Sequence, residues 1–146
     1  MPDTTKIYAV IDTNVVVSSL FSKDGTSSPA LVIRAIFNGA ITPLYNDEII
    51  KEYRDVLSRP KFPFNEVLVE EAISAIRYFG LHTERTTLSG LTLPDSDDTV
   101  FYEVKMSVND AYMVTGNTKH FPKEPFVVTP AEMVEILRKK GLIWEK

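Results

Sequence analysis

Five acidic positions and one amide define the chemistry open to this sequence. Asp12 ends a continuous apolar run, Ile7-Tyr-Ala-Val-Ile11, and Glu52 sits in a stretch of helical periodicity. Asp95, Asp97 and Asp98 crowd into four residues, and Asn117 follows a second apolar run, Tyr112-Met-Val-Thr. Carboxylates gathered without matching Arg or Lys repel one another unless a divalent cation lies among them. Hard oxygen donors suit Mg²⁺ or Mn²⁺. The reaction that such a centre serves is hydrolysis of a phosphodiester or phosphoester, with one or two ions orienting water and neutralising charge.

Each position also has a plainer reading. Asp12 could cap a following helix, and acids in a helix's first turn satisfy free N–H groups and oppose the dipole. One acid before Phe101 would need no further account, but three of them repel one another. Periodicity does not separate Asp97 from Asp98, because both fall near the face that carries Phe101 and Val104. On the earlier helix, Ile49, Tyr53 and Val56 mark the apolar face. Glu52 lies at its border, while Glu48 and Asp55 turn toward solvent. Thr115-Gly-Asn117 could be a simple strand-to-loop turn. The two histidines, His82 and His120, are far apart without ligand spacing, which suits surface or packing roles and excludes a three-histidine zinc site.

The elements that must position these groups alternate. Ile7–Ile11 reads as a buried strand, and Val15 to Phe21 is an apolar stretch with two serines before a loop at Ser22. Ser28-Pro29 opens a helix that stops at Asn38-Gly39, and Ile41–Tyr45 is a second strand. Asn46 caps the helix bearing Glu52, which Arg59-Pro60 ends. Another amphipathic helix runs from Val67 to Gly80, and Leu81 to Leu88 is an edge strand or a loop. A helix opening at the aspartate cluster, strands at Tyr112–Thr115 and Phe126–Val128, and a last helix complete the chain. That last helix starts with the capping box Thr129-Pro-Ala-Glu132 and ends in Arg138-Lys-Lys, cations suited to a helix C-terminus. Strands alternating with helices predict a parallel sheet covered on both faces, in one domain spanning residues 1–146 with a loose end at Met1 to Thr5.

Composition sets the remaining bounds. With 146 residues, 44% hydrophobic and 25% charged, the chain can build a core without staples. The absence of cysteine excludes disulfides, thiolate metal sites and a Cys nucleophile. No apolar run approaches ~18 residues, so a cytoplasmic protein with no membrane partner is expected. A net charge of −4 argues against bulk attraction to nucleic acid, which would need local basic patches and metal ions.

Four segments in order resemble the PIN domain family. They are Val10-Ile-Asp12-Thr-Asn14-Val, Asp47-Glu-Ile-Ile-Lys-Glu52-Tyr, Asp95-Ser-Asp97-Asp98-Thr-Val-Phe101 and Tyr112-Met-Val-Thr115-Gly-Asn117. The likeness is strongest to single-domain prokaryotic members described as toxins of toxin–antitoxin pairs. The resemblance implies a Rossmann-like three-layer α/β/α sandwich with a mainly parallel sheet. It also implies Mg²⁺- or Mn²⁺-dependent cleavage of RNA, with an antitoxin protein and a second copy of the chain as candidate partners. It assigns Asp12, Glu52 and Asp98 as catalytic acids and Asp12, Asp98 and Asn117 as metal ligands. Asn14, Thr115 and Asp97 are supporting groups. Where the family carries a fourth acid this chain has Asn117, which can coordinate through its carbonyl oxygen but without charge. Lys105 stands where the family often has a small residue.

Two other readings compete. One is a PIN-fold module that holds RNA or a protein partner without cutting. The other is a haloacid-dehalogenase-like phosphatase, suggested by Asp12-Thr-Asn-Val-Val. That one fails on two counts: its second acid would be Asn14, and the Thr115 strand follows the aspartate cluster instead of preceding it.

Overall fold

The structure, a computed structural model, describes residues 6–143. Met1 to Thr5, read above as a loose end, lie outside them. Five parallel strands form one sheet in the order β3–β2–β1–β4–β5, with β1 Ile7–Ile11, β2 Ile41–Tyr45, β3 Leu81–His82, β4 Tyr112–Val114 and β5 Val127–Val128. Six helices accompany it: α1 Thr13–Phe21, α2 Ser28–Phe37, α3 Asp47–Leu57, α4 Glu66–Phe79, α5 Thr99–Met106 and α6 Pro130–Lys139. This is the expected α/β sandwich. The connections from β1 to β2 and on to β3 put α2 and α4 together against β2. The long return from β3 to β4 carries α5, which packs on β1 and β4, and α6 lies beside α2. No helix among the described residues is long and apolar enough to cross a membrane.

The central strand explains the arrangement. Ala9, Val10 and Ile11 are wholly buried, as sandwiching between helical layers requires. At about 1.5–3 kcal/mol for each large apolar side chain, the strand can carry a buried carboxylate at its end. The sheet's left edge depends on Gly80, whose Cβ would stand 2.4 Å from the Ile76 carbonyl oxygen and 2.6 Å from that of Pro43. Any side chain there would push β3 off β2.

Three features add detail to the sequence reading. Val15 to Phe21 belongs to helix α1, which starts at Thr13 because the Asp12 side chain caps it. The extended segment after Gly80 pairs with β2 over two residues and then leaves the sheet. The following connector is anchored on α5 by Glu103, whose carboxylate accepts from Arg85 Nε at 2.7 Å and from the Leu88 N–H at 2.8 Å. Arg85 also reaches Glu48 at 2.6 Å. That anchor delivers Asp95 to Asp98 to the top of the sheet.

Lys105 is a structural residue. Its Nζ lies 4.1 Å from the Phe126 ring centroid and 3.4 and 3.5 Å from the Val108 and Asn109 carbonyls. These groups precede β4 and β5, so Lys105 closes the end of the sheet opposite Asp12. Burial lowers its pKa, with Asp110 opposing.

Candidate metal centre

In the order β3–β2–β1–β4–β5 the chain leaves β1 to one side and meets β4 on the other. The carboxyl ends of β1 and β4 therefore flank the crevice where open α/β sheets bind ligands. Asp12 and Thr115 are the residues just past the paired Ile11 and Val114. The Asp12 N–H donates to the Val114 carbonyl at 2.9 Å, and Thr115 N–H to Val128 at 2.9 Å. Tyr53, buried on α3, donates its phenol to the Ile11 carbonyl at 2.5 Å and pins α3 to the same strand end.

The Asp12 carboxylate is held from three sides. It accepts from the Thr13 N–H at 2.8 Å, from the Thr115 hydroxyl at 2.7 Å and from the Asn14 amide at 3.3 Å. Asn14 in turn accepts from the Gly116 N–H at 3.0 Å, so one side chain ties α1 to the end of β4. Burial pushes the Asp12 carboxyl above the ordinary range, against the Thr115 and Thr13 bonds and the nearby His120; the Asp95 charge adds to the rise. Asp12 is thus both a helix cap and a desolvated carboxylate, and the two readings of it coexist. Next to it, the Thr13 hydroxyl is buried with no hydrogen-bond partner among the described residues.

The aspartate cluster divides its labour. Asp95 caps the 3₁₀ turn Ser96–Asp98 by accepting from the Asp97 N–H at 2.9 Å. Asp98 stands at the start of α5, yet its side chain caps nothing. It is buried and turned inward. Burial first, then the charges of Asp12 and Asp95, push its pKa from 3.8 up to about 6, against a hydrogen bond from His120. Asp97 is exposed and faces Glu52. Within the 3₁₀ turn the two neighbours thus differ in burial, Asp98 turned inward and Asp97 outward.

Glu52 is half-buried on α3. Its pKa is raised by burial and then by the charges of Asp97, Asp55 and Asp95, with Arg59 opposing. The structure therefore brings Asp12 and Asp98 together and sets Glu52 and Asp97 against each other on the outer side. Asp95 acts electrostatically on Asp12, Asp98 and Glu52 alike. Asn117 joins this group through Thr115 and His120. Its N–H donates to Thr115 Oγ1 at 3.0 Å, and its amide nitrogen stands 2.9 Å from His120 Nε2.

Two residues here have no site role of their own from sequence: Asp95, named only within its acidic cluster, and His120. Asp95, His120 and Asp98 each offer an atom within 4.8 Å of the others, a grouping suited to a metal ion. His120 is not a remote packing residue: its Nδ1 lies 3.1 Å from Asp98 Oδ2. The sequence signal was slight, a histidine three residues after Asn117 whose other partner is 22 residues away. His82 does remain at the surface, 3.6 Å from Asp47 and 3.5 Å from Glu84.

By fold and by site, this is a parallel α/β sandwich with crowded carboxylates at its switch point. A family model for the PIN domain matches residues 8–119, and the chain belongs to the PIN domain family. PIN domains are generally metal-dependent nucleases that use divalent ions, generally Mg²⁺ or Mn²⁺. No curated protein and no solved structure gives a significant match. The residues present suit such an ion, since the oxygens of Asp12, Asp95 and Asp98 crowd like charges that a dication relieves.

Proposed function

We propose that the chain is an endoribonuclease that hydrolyses RNA phosphodiester bonds with Mg²⁺ or Mn²⁺. The observation that supports it most is Asp98, a buried carboxylate that faces two other acids and caps nothing. Such crowding costs stability unless it serves a cation. Asp12, Asp98 and Asp95 would hold the ion, which when bound supplies charge neutralisation at the phosphoryl group and a site for water.

The protein's own groups do the rest. Thr115, Asn14 and the Thr13 N–H fix the rotamer of Asp12, so its free lone pairs point one way. Glu52, made a better proton acceptor by burial and by Asp97, takes the proton of the attacking water. Water adds to phosphorus as the bond to the leaving ribose oxygen breaks; the water's proton stays on Glu52, and the leaving oxygen takes one from solvent water.

Incubating the chain with a mixed RNA pool and Mn²⁺ tests this. Cleavage is expected, and it should be lost with EDTA and with Asp12→Asn. An uncut pool that is nevertheless retained by the protein would favour a binding module, the reading that Asn117 in place of an acid supports. The toxin reading predicts growth arrest on expression of the wild type and none with Asp12→Asn.

A further inference from the structure

We infer that His120 supplies a nitrogen ligand to the metal centre and that Asn117 orients its ring, giving a mixed nitrogen–oxygen site that prefers Mn²⁺ to Mg²⁺. The inference rests on the metal-centre reading above and extends it to a residue beyond the matched span, which ends at Lys119.

The ring is placed by groups that also hold Asp12. Thr115 Oγ1 donates to Asp12 and accepts from the Asn117 N–H, and the Asn117 carbonyl accepts from the His120 N–H at 3.1 Å. The 3₁₀ turn Thr118–His120 therefore hangs from the same hydroxyl that fixes the carboxylate. It sets Nδ1 3.1 Å from Asp98 Oδ2, within the group formed with Asp95. Ligand atoms around one ion with bonds near 2.0–2.2 Å stand roughly 3–4 Å apart. The span of 4.8 Å that holds all three donors needs little closure to meet this.

Asn117 is the side chain that lets one ring serve two states. A neutral imidazole carries one N–H. With the Asn117 amide nitrogen donating to Nε2, the proton sits on Nδ1 and points at Asp98, easing the repulsion among the acids. A half-turn of the amide presents its carbonyl to Nε2–H instead, and the Nδ1 lone pair then faces Asp98 and Asp95. An amide can support both arrangements, whereas a carboxylate at 117 could only accept. A ligating imidazole whose second nitrogen bonds a fixed oxygen is the usual way metal-binding histidines are oriented.

The consequence is selectivity. Mg²⁺ takes oxygen donors and dehydrates reluctantly, whereas imidazole suits first-row transition ions. The test is pulsed electron paramagnetic resonance of the Mn²⁺-loaded chain, with and without ¹⁵N-histidine, which needs no variant. A nitrogen coupling that changes with the label is expected. In calorimetry, His120→Gln should raise the Mn²⁺ Kd about 10–100-fold and the Mg²⁺ Kd several-fold less; Asn117→Ala should follow the same order with a smaller change. Bound Mn²⁺ without nitrogen coupling, or equal losses for both ions, overturns the inference. So does a wild type that fails to bind Mn²⁺. RNA left uncut by a protein that shows the coupling would instead overturn the nuclease reading alone.

Discussion

Two buried carboxylates sit five residues apart along one helix, Asp98 at its N-cap and Glu103 in its body, and the fold treats them in opposite ways. Glu103 is 3% exposed and Asp98 8% exposed. Burial alone would raise both. At Glu103 the Leu88 N–H and the Arg85 guanidinium more than offset it and hold the pKa below the ordinary range. At Asp98 the neighbours are Asp12 and Asp95, which push it further up. Depth does not separate a structural acid from a functional one; partners do. Glu103 is complete as it stands, whereas Asp98 has the His120 ring at 3.1 Å and keeps a like-charge repulsion that the proposed ion would relieve.

The comparison breaks most visibly in activity. Asp98→Asn or Asp12→Asn should lower RNA cleavage on the order of 10³-fold or more, because an ion's charge stabilisation is worth several kcal/mol and each 1.36 kcal/mol is a decade. The melting temperature of the metal-free protein should not fall in either variant, since a like charge has been removed. Glu103→Gln should do the reverse. Its activity per folded molecule should persist, and its stability should drop by about 2–3 kcal/mol. That is less than for a fully buried pair, because Arg85 is 32% exposed and keeps Glu48. An Asp98→Asn protein that melts early and cuts normally would make Asp98 the structural acid.

Ion linkage sharpens the contrast. At a hundred times its Kd, Mn²⁺ should stabilise the wild type by about 2.7 kcal/mol, roughly 10 °C for a chain of this size. The shift should vanish in Asp98→Asn and survive in Glu103→Gln. Thermal melts with and without Mn²⁺ measure it, and an equal shift in both variants would place the ion elsewhere.

How much of this was legible in the sequence follows from how local each cause is. β1, β2 and β4 were readable because buried parallel strands are short apolar runs. Helix α1 was not, because Thr13, Val15, Val16, Val17, Ser18 and Ser19 are poor helix formers. It forms through the Asp12 cap and packing on α2 and α3. Asp12 and Thr115 could be placed from their strand ends, whereas their 2.7 Å bond spans 103 residues and depends on sheet order. The different burial of Asp98 and Asp97 arises in a 3₁₀ turn that periodicity does not encode. His120 required two tertiary partners, and Lys105 required knowing which end of the sheet it meets.

A smaller effect is the pH dependence of the metal-free fold, and the two acids give it opposite signs. Asp98 titrates near 6 in the folded chain and near 3.8 when unfolded. Between these values the native state binds the extra proton, so stability falls as pH rises from about 4 to 6. Asp12, also raised, adds in the same direction. Glu103, held low, contributes stability above the ordinary carboxylate range that is lost as pH falls through its folded value. Melting wild type and Asp98→Asn in EDTA from pH 4 to 7 isolates the first term. The wild type should lose ground to the variant across that window. Mn²⁺ affinity should weaken below about pH 6 as Asp98 takes up its proton.

The smallest expected effect tests whether incomplete bonding is a property of the centre as a whole. Thr13 Oγ1, one residue past Asp12, is a buried hydroxyl without a partner among the described residues. Leaving such a group unpaired costs about 1–3 kcal/mol. Valine has nearly the same shape and helix propensity. Thr13→Val should therefore raise the metal-free melting temperature by roughly 3 °C, while the Asp12 cap survives because it uses the Thr13 N–H and not the hydroxyl. The informative measurement is the Mn²⁺ Kd of the same variant. An unchanged value makes the hydroxyl an idle cost of building α1 against the sheet. A weakened one, with the melting temperature still raised, makes Thr13 a second group at this strand end whose partner comes with the ion, and would extend the contrast with Glu103 from charges to neutral donors.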